Sequence, residues 1–354
     1  MKRKGKFKVL VVIIIGIILL VIPITMQAKG EVSKNVLDKY VVIGDEISLE
    51  ANNDYEVSYV SLIKDFLYAL NDNLEYINLS SDGATSSQLL NVVDSNKEKL
   101  KDADLITISI GGNNILSAVL KSLNINEENL QDYDENKFDS IISEYLNSKE
   151  VKTEILNEIS IFSKDFPNII KKIKKLAPNA DIYVNTVYNP INKKCEIYEF
   201  FDSQINLIND VIVKNNSNND YKILDCYQIL NNDDVLNFKI ENGVAKISPN
   251  KVGHAMMANQ VISDYEEYVN LEVDKITSTS NNIKGKTIPN TNIIVVSENG
   301  TVGTTQAKSN GEFEVKISPM VSGTNIEVLV YDKKIFSILY KFEKLVVKKD
   351  LFTS

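Results

Sequence analysis

Tyr40-Val-Val-Ile-Gly-Asp-Glu-Ile-Ser-Leu49 opens with four aromatic or apolar residues and then turns. The run Tyr40 to Ile43 has the length and composition of a buried strand. Gly44-Asp45 interrupts it with turn chemistry, so Glu46 is the first side chain beyond the strand end. Similar short runs recur downstream: Tyr76–Leu79, Leu105–Ile110, Ile182–Val187 and Tyr221–Leu224. Helical patterns separate them, including Tyr59 to Leu70 and Val151 to Leu176. In the second, Ile155, Ile159, Phe162, Phe166, Ile170 and Ile173 recur at steps of three and four, which makes an apolar stripe. Leu176-Ala-Pro178-Asn179 ends that pattern before the next strand. Short apolar strands alternating with helices predict an α/β fold with a parallel sheet covered on both faces. Residues 117–150 are polar and acidic, and read as a partly helical insertion at the sheet edge.

The pattern changes after about residue 273. From Ile283 to Val347, short β-favouring runs are punctuated by Asn299-Gly300, Asn310-Gly311 and Ser322-Gly-Thr324. Asn-Gly between such runs is a hairpin signal. A small all-β sandwich of about seven strands is expected, with Ser278–Asn282 as its linker or first turn. This segment resembles bacterial Ig-like modules of surface proteins.

The chain has 354 residues and a formal net charge of −9. The first 28 residues hold five of its 39 basic residues and no acid, leaving 34 basic against 48 acidic in the remainder, a charge of −14. That balance argues against a nucleic-acid partner, which would need clustered Lys and Arg. The dense basic run Lys171-Lys172-Ile-Lys174-Lys175 reads as a solvated helix face. At the N-terminus, basic residues precede the apolar run Val9–Ile22. This marks residues 1–28 as a signal peptide or a membrane anchor, and both readings stay open. Either places the rest of the chain outside the cell or at its surface, with membrane attachment if the segment is uncleaved. Cys195 and Cys226 are the only cysteines; a disulfide and two free thiols are both compatible with export. No metal or cofactor is expected.

Four blocks between residues 40 and 255 resemble, in order, those of the GDSL lipases and esterases, also called SGNH hydrolases. The first is Gly44-Asp45-Glu46, where the family has Gly-Asp-Ser with a nucleophilic serine. The second is Asn78-Leu-Ser-Ser-Asp-Gly83, in which Gly83 matches a backbone oxyanion donor. The third, Gly111-Gly112-Asn113-Asn114, resembles Gly-x-Asn-Asp, and Asn113 takes the position of the side-chain oxyanion donor. The fourth is Ile247-Ser248-Pro249-Asn250-Lys251-Val252-Gly253-His254, resembling Asp-x-x-His-Pro-Asn-x-x-Gly-His. Pro249, Asn250, Gly253 and His254 match it. The general-base histidine is replaced by Ser248 and its orienting aspartate by Ala245.

The resemblance implies a three-layer α/β/α, flavodoxin-like hydrolase domain over residues 33–272, followed by an Ig-like sandwich over 275–350. Its triad positions are Glu46, Ala245 and Ser248, none with the family's chemistry. His254 is the only histidine, and it lies six residues past the base position, where a packing or helix-terminus role is favoured. Serine esterase chemistry needs a base within hydrogen-bond reach of the nucleophile. Glu46 as a glycosidase-type nucleophile would need a second carboxylic acid, which neither Ser248 nor Ala245 supplies. Glu46 is expected instead to accept the oxyanion donors itself and fill the site. The favoured reading is an inactive homologue that binds or scaffolds at the cell envelope, its partner an envelope glycan, an acylated ligand or a surface protein. The alternatives are an active ester hydrolase, such as a lipase or acyl-glycan deacetylase, with non-standard residues, and an adhesin-like surface protein.

Overall fold

The computed structural model describes residues 37–50, 57–122, 148–191, 193, 197–218, 220–230, 236–241, 244–332 and 339–350. Five parallel strands form its main sheet: β1 (Lys39–Gly44), β2 (Glu75–Asn78), β3 (Leu105–Ser109), β4 (Asp181–Asn185) and β5 (Lys222–Leu224). Their order is β2-β1-β3-β4-β5. Tyr40, Val41, Val42 and Ile43 have no solvent exposure, as expected of a central strand with both faces covered.

The alternation along β1 separates two cores. Val41 and Ile43 join a cluster with residues of α2 (Ser86–Ser95), α4 (Gly112–Ser122), α5 (Lys149–Leu176) and α6 (Tyr198–Asn215). Tyr40 and Val42 face the other way, toward α1 (Tyr59–Leu70) and α8 (Lys251–Ile262). Three short elements complete this part: α3 (Lys97–Leu100), α7 (Cys226–Ile229) and a hairpin of β6 (Leu236–Glu241) and β7 (Val244–Pro249). Helix α5 buries all six residues of the expected stripe, Ile155, Ile159, Phe162, Phe166, Ile170 and Ile173, and Val151 and Ile169 besides. Ser148 caps it, its hydroxyl accepting from Val151 N–H.

The expected insertion over 117–150 is corrected at both ends. Residues through Ser122 belong to α4, whose apolar side packs on α5, and Lys149 already lies in α5; residues 123–147 are outside the described set. The N-terminal segment 1–28 is also outside it. Among the described residues no helix is long and apolar enough to cross a membrane. Cys226 is a buried free cysteine, and Cys195 falls outside the described residues.

After α8, a 3₁₀ turn (Ser263–Tyr268) leads into seven strands: β8 (Glu272–Val273), β9 (Asn282–Lys286), β10 (Asn292–Ser297), β11 (Gly300–Gln306), β12 (Glu312–Lys316), β13 (Asn325–Tyr331) and β14 (Leu339–Val346). They form a four-stranded sheet, β11-β10-β13-β14, and a three-stranded one, β12-β9-β8, all pairs antiparallel. The Ser278–Asn282 stretch is a first turn: Ser278 N–H donates to Lys348 O and Ser280 N–H to Thr277 O.

Candidate functional site

In an open parallel sheet the natural ligand position is beyond the carboxyl ends of the strands, where the winding reverses. Here that point lies between β1 and β3, since β2 flanks β1 on its other side. The three segments leaving β1, β2 and β3 therefore meet there. Close approach begins with Gly44, which lies at φ +140 against β3; a Cβ on it would stand 2.1 Å from Ser109 O. Asp45 N–H donates to that same oxygen over 2.9 Å, locking the turn to the neighbouring strand.

Asp45 then caps a 3₁₀ turn, Glu46–Ser48, by accepting from Ile47 N–H at 3.3 Å. This turn directs the half-buried Glu46 carboxylate to the other two segments. Glu46 Oε2 accepts from Gly83 N–H at 3.3 Å and from Asn113 Nδ2 at 2.7 Å. Gly83 sits at φ +67 with open space where a Cβ would be, so conformation and not crowding calls for glycine. Asn113, only 6% exposed, is the second residue of α4. The structure thus brings Glu46, Gly83 and Asn113 together on one oxygen.

Asn114 has a different task. Its Oδ1 accepts from Ser86 N–H at 3.0 Å, and its Nδ2 donates to Ser86 Oγ and Glu158 Oε2 at 3.1 and 3.2 Å. It ties the first turn of α2 to α4 and α5, and so holds the Gly83 loop beside Asn113. Sequence reading assigns Asn114 only a departure from the family pattern, because its partners lie on two other helices.

Ser48 and His254 are each hydrogen-bonded to Tyr59. Ser48 is fully buried, and its Oγ shares a 2.8 Å hydrogen bond with Tyr59 OH. His254, 8% exposed, lies stacked near Tyr59 and accepts Tyr59 N–H at Nδ1 over 3.2 Å. Burial pushes its pKa down to about 4, so the ring is neutral near pH 7. Ala245 and Ser248 fall on β7, opposite Ile240 and Asn237 of β6. Asn250 ends that segment as the N-cap of α8, accepting from Val252 and Gly253 N–H at 2.9 and 3.1 Å. The fourth block is therefore a hairpin strand followed by a helix cap. The sequence signal for the hairpin is Asn242-Gly243 between the two strands.

Asp45 is a buried carboxyl beside the Glu46 carboxylate. It is 4% exposed, and burial together with the Glu46 charge raises its pKa to about 7. Among the described residues no group of three or more His, Cys, Asp or Glu is arranged to hold a metal ion.

The model of the GDSL-like lipase/acylhydrolase family matches residues 40–261, and that of the bacterial Ig domain matches residues 269–335. Among solved structures, a lipase from goat rumen metagenome is 19% identical, with 64% of this chain and 96% of that one covered and a TM-score of 0.48. Phospholipase A1 from Streptomyces albidoflavus NA297 is 15% identical, with 64% and 99% covered and a TM-score of 0.44. An acetylxylan esterase from Geobacillus stearothermophilus is 16% identical, with 64% and 93% covered and a TM-score of 0.39. No curated protein matches. The family match spans more than half of the chain: the protein belongs to the GDSL-like lipase/acylhydrolase family and carries a bacterial Ig domain after its hydrolase-like domain.

Proposed function

We propose that this protein is an exported, catalytically inactive member of its family that binds or scaffolds at the cell envelope. One observation carries the reading: a single oxygen of Glu46 accepts from both Gly83 N–H and Asn113 Nδ2. In an acyl-transfer enzyme these donors must be free for the oxyanion that develops on the substrate. Here a side chain of the protein takes them, and it stands at the position of the missing nucleophile. The replacements at 245 and 248 remove the base and its orienting acid as well, and His254 is committed to Tyr59 N–H. Loss of a whole triad leaves only about 10³–10⁴-fold acceleration over water. The basic and apolar N-terminus supports export, and the Ig domain supports a surface location. Envelope glycan, an acylated ligand and a surface protein are the partners considered.

Purified chain lacking the first 28 residues is expected to show no turnover of short acyl esters or acetylated sugars above background. Turnover that disappears in Glu46→Ala would refute the proposal.

A further inference from the structure

We propose that the lysine-rich end of the hydrolase-like domain docks on the anionic phospholipid headgroups of the membrane that holds residues 1–28. The inference rests on the exported reading above, with that segment retained as the anchor. Residues 166–180, the last turns of α5 and the loop after it, hold four lysines and no acid, although the chain beyond residue 28 has 34 basic residues against 48 acidic. Lys171 and Lys174 line a groove of about 380 Å³ between the ends of α5 and α6, together with Lys214, Asn215, Ser217 and Asp220. From sequence alone the run reads as a solvated helix face. The groove adds a third lysine from a second helix and a concave surface between them.

Most of the cations at this end lack a counter-ion. Lys171, Lys174 and Lys175 form no ion pair among the described residues, and neither do Lys97, Lys99 and Lys101 at α3 and just beyond it. Of the acids nearby, Asp94 is held by Lys172 and Asp210 by Lys214, the second as an exposed pair of little strength. Asp220 lines the groove, and Glu98 and Asp102 lie among the α3 lysines. Lys174, Lys175 and Lys214 suit the carboxyl ends of their helices. That role does not extend to Lys171, which precedes the last turn of α5.

The place where the chain enters the domain selects a membrane as the partner. Asp38 and Lys39 N–H both donate to Asp104 Oδ2, at 2.8 and 2.9 Å, and Asp102 N–H donates to Leu176 O at 3.3 Å. The domain is therefore entered beside the end of α5. Eight residues, 29–36, separate the anchor segment from Leu37. A tether of that length reaches at most about 29 Å. It keeps the lysines within reach of headgroups, whose attraction acts over a Debye length of about 8 Å. Juxtamembrane lysines are drawn to anionic lipids in this way. The sandwich leaves the face open, since it joins the apolar cluster of α1 and α8 and not that of α5 and α6. Docking by this end puts the Glu46 pocket, beyond the carboxyl ends of the strands, at the far end of the domain from the bilayer.

The test reconstitutes the full chain in phosphatidylcholine vesicles with and without phosphatidylglycerol. Acylation by a water-soluble N-hydroxysuccinimide ester is then followed lysine by lysine by mass spectrometry. With phosphatidylglycerol present, Lys171, Lys174 and Lys175 should react about threefold or more slowly than on phosphatidylcholine alone. Lys149 and Lys251 begin α5 and α8 at the other end of the domain and should be unchanged. Lys149 lies about 38 Å from Lys174 along the helix, well beyond the reach of the headgroups. The protection should vanish at about 1 M salt, where the screening length falls to about 3 Å. Lys175 should also lose it in the surface variant Lys171→Glu/Lys174→Glu. Equal acylation on both vesicles, or equal protection of Lys149 and Lys251, would overturn the inference. Protection produced on phosphatidylcholine by added glycerol phosphate would overturn it too, in favour of a soluble ligand. Flotation of the vesicles in alkaline carbonate reads the anchor separately. Chain left behind refutes the retained anchor and docking with it, whereas chain that floats without protection refutes docking alone.

Discussion

Asp45 and Glu46 are adjacent carboxylates in opposite surroundings. Glu46 is held by two donors at the pocket, whereas Asp45 is buried behind it with the Ile47 N–H at its oxygen. Burial first, and the Glu46 charge second, raise Asp45 from 3.8 to about 7. The sign follows from linkage: a carboxyl whose folded pKa is raised contributes stability that is present below about 4 and is lost as pH rises through 7. Asp45→Asn is neutral and retains an acceptor for Ile47 N–H. Its stability relative to wild type should therefore increase between pH 4 and 7, by on the order of 2–4 kcal/mol, and level off above. Urea denaturation of both proteins at pH 4, 5.5 and 7.5 measures this, and a difference independent of pH would refute it. The meeting of Glu46, Gly83 and Asn113 was expected from the resemblance of three short motifs to the family's blocks, and the structure brings the three together. The links from Asn114 to Ser86 and Glu158 were not legible in the sequence, since partners 28 and 44 residues away leave no local pattern.

Helix α1 shows how a residue that resembles a catalytic one is used for structure. The first N–H groups of a helix lack intrahelical acceptors. Ser58 Oγ accepts from Ser61 N–H at 3.2 Å, and His254 Nδ1, arriving from α8, accepts from Tyr59 N–H. His254 is thus part of a cap built across 195 positions of sequence. Its position in a helix pattern was readable; its acceptor role was not, because the contact exists only once α1 and α8 share one face of the sheet. The expected outcome for His254→Phe, which keeps the packing but removes the acceptor, is a loss of about 1–3 kcal/mol at pH 7.5. The folded pKa of about 4 lies below the ordinary 6.5, so the contribution of His254 is present above 6.5 and lost as pH falls through 4. The deficit of His254→Phe should accordingly shrink between pH 6.5 and 4. Thermal unfolding at both ends of this window checks it; a deficit that stays constant or grows on acidification would contradict the assignment.

At the scale of the molecule, the Ig-like strands share a core with the hydrolase-like domain. Tyr40, Val42, Ile63 and Phe66 belong to the same apolar cluster as Ile283, Val295, Phe313, Val328 and Tyr340 of the sandwich. Phe66 of α1 and Tyr340 of β14 meet edge to face with centroids 4.9 Å apart. Thr287 Oγ1 donates to Asn270 O, and Lys341 Nζ reaches Glu266 O, which bonds the sandwich to the segment that follows α8. Alternation and Asn-Gly pairs made the strands legible, but a Ser/Thr/Asn-rich stretch reads equally as a linker and as a turn. What decides between them is the apolar face of α1 on the far side of the chain, which has no signature distinct from any buried helix face. Contacts of this kind couple the stabilities of the two parts, since removing one exposes the apolar surface of the other. Unfolding of the full chain should therefore be a single cooperative transition. Phe66→Ala, which leaves a void at a fully buried site, should lower that transition as a whole, by about 3–5 kcal/mol. Calorimetry combined with near-UV circular dichroism distinguishes the outcomes: two transitions, with only the hydrolase-like one shifted by Phe66→Ala, would mean that the sandwich is an independent appendage.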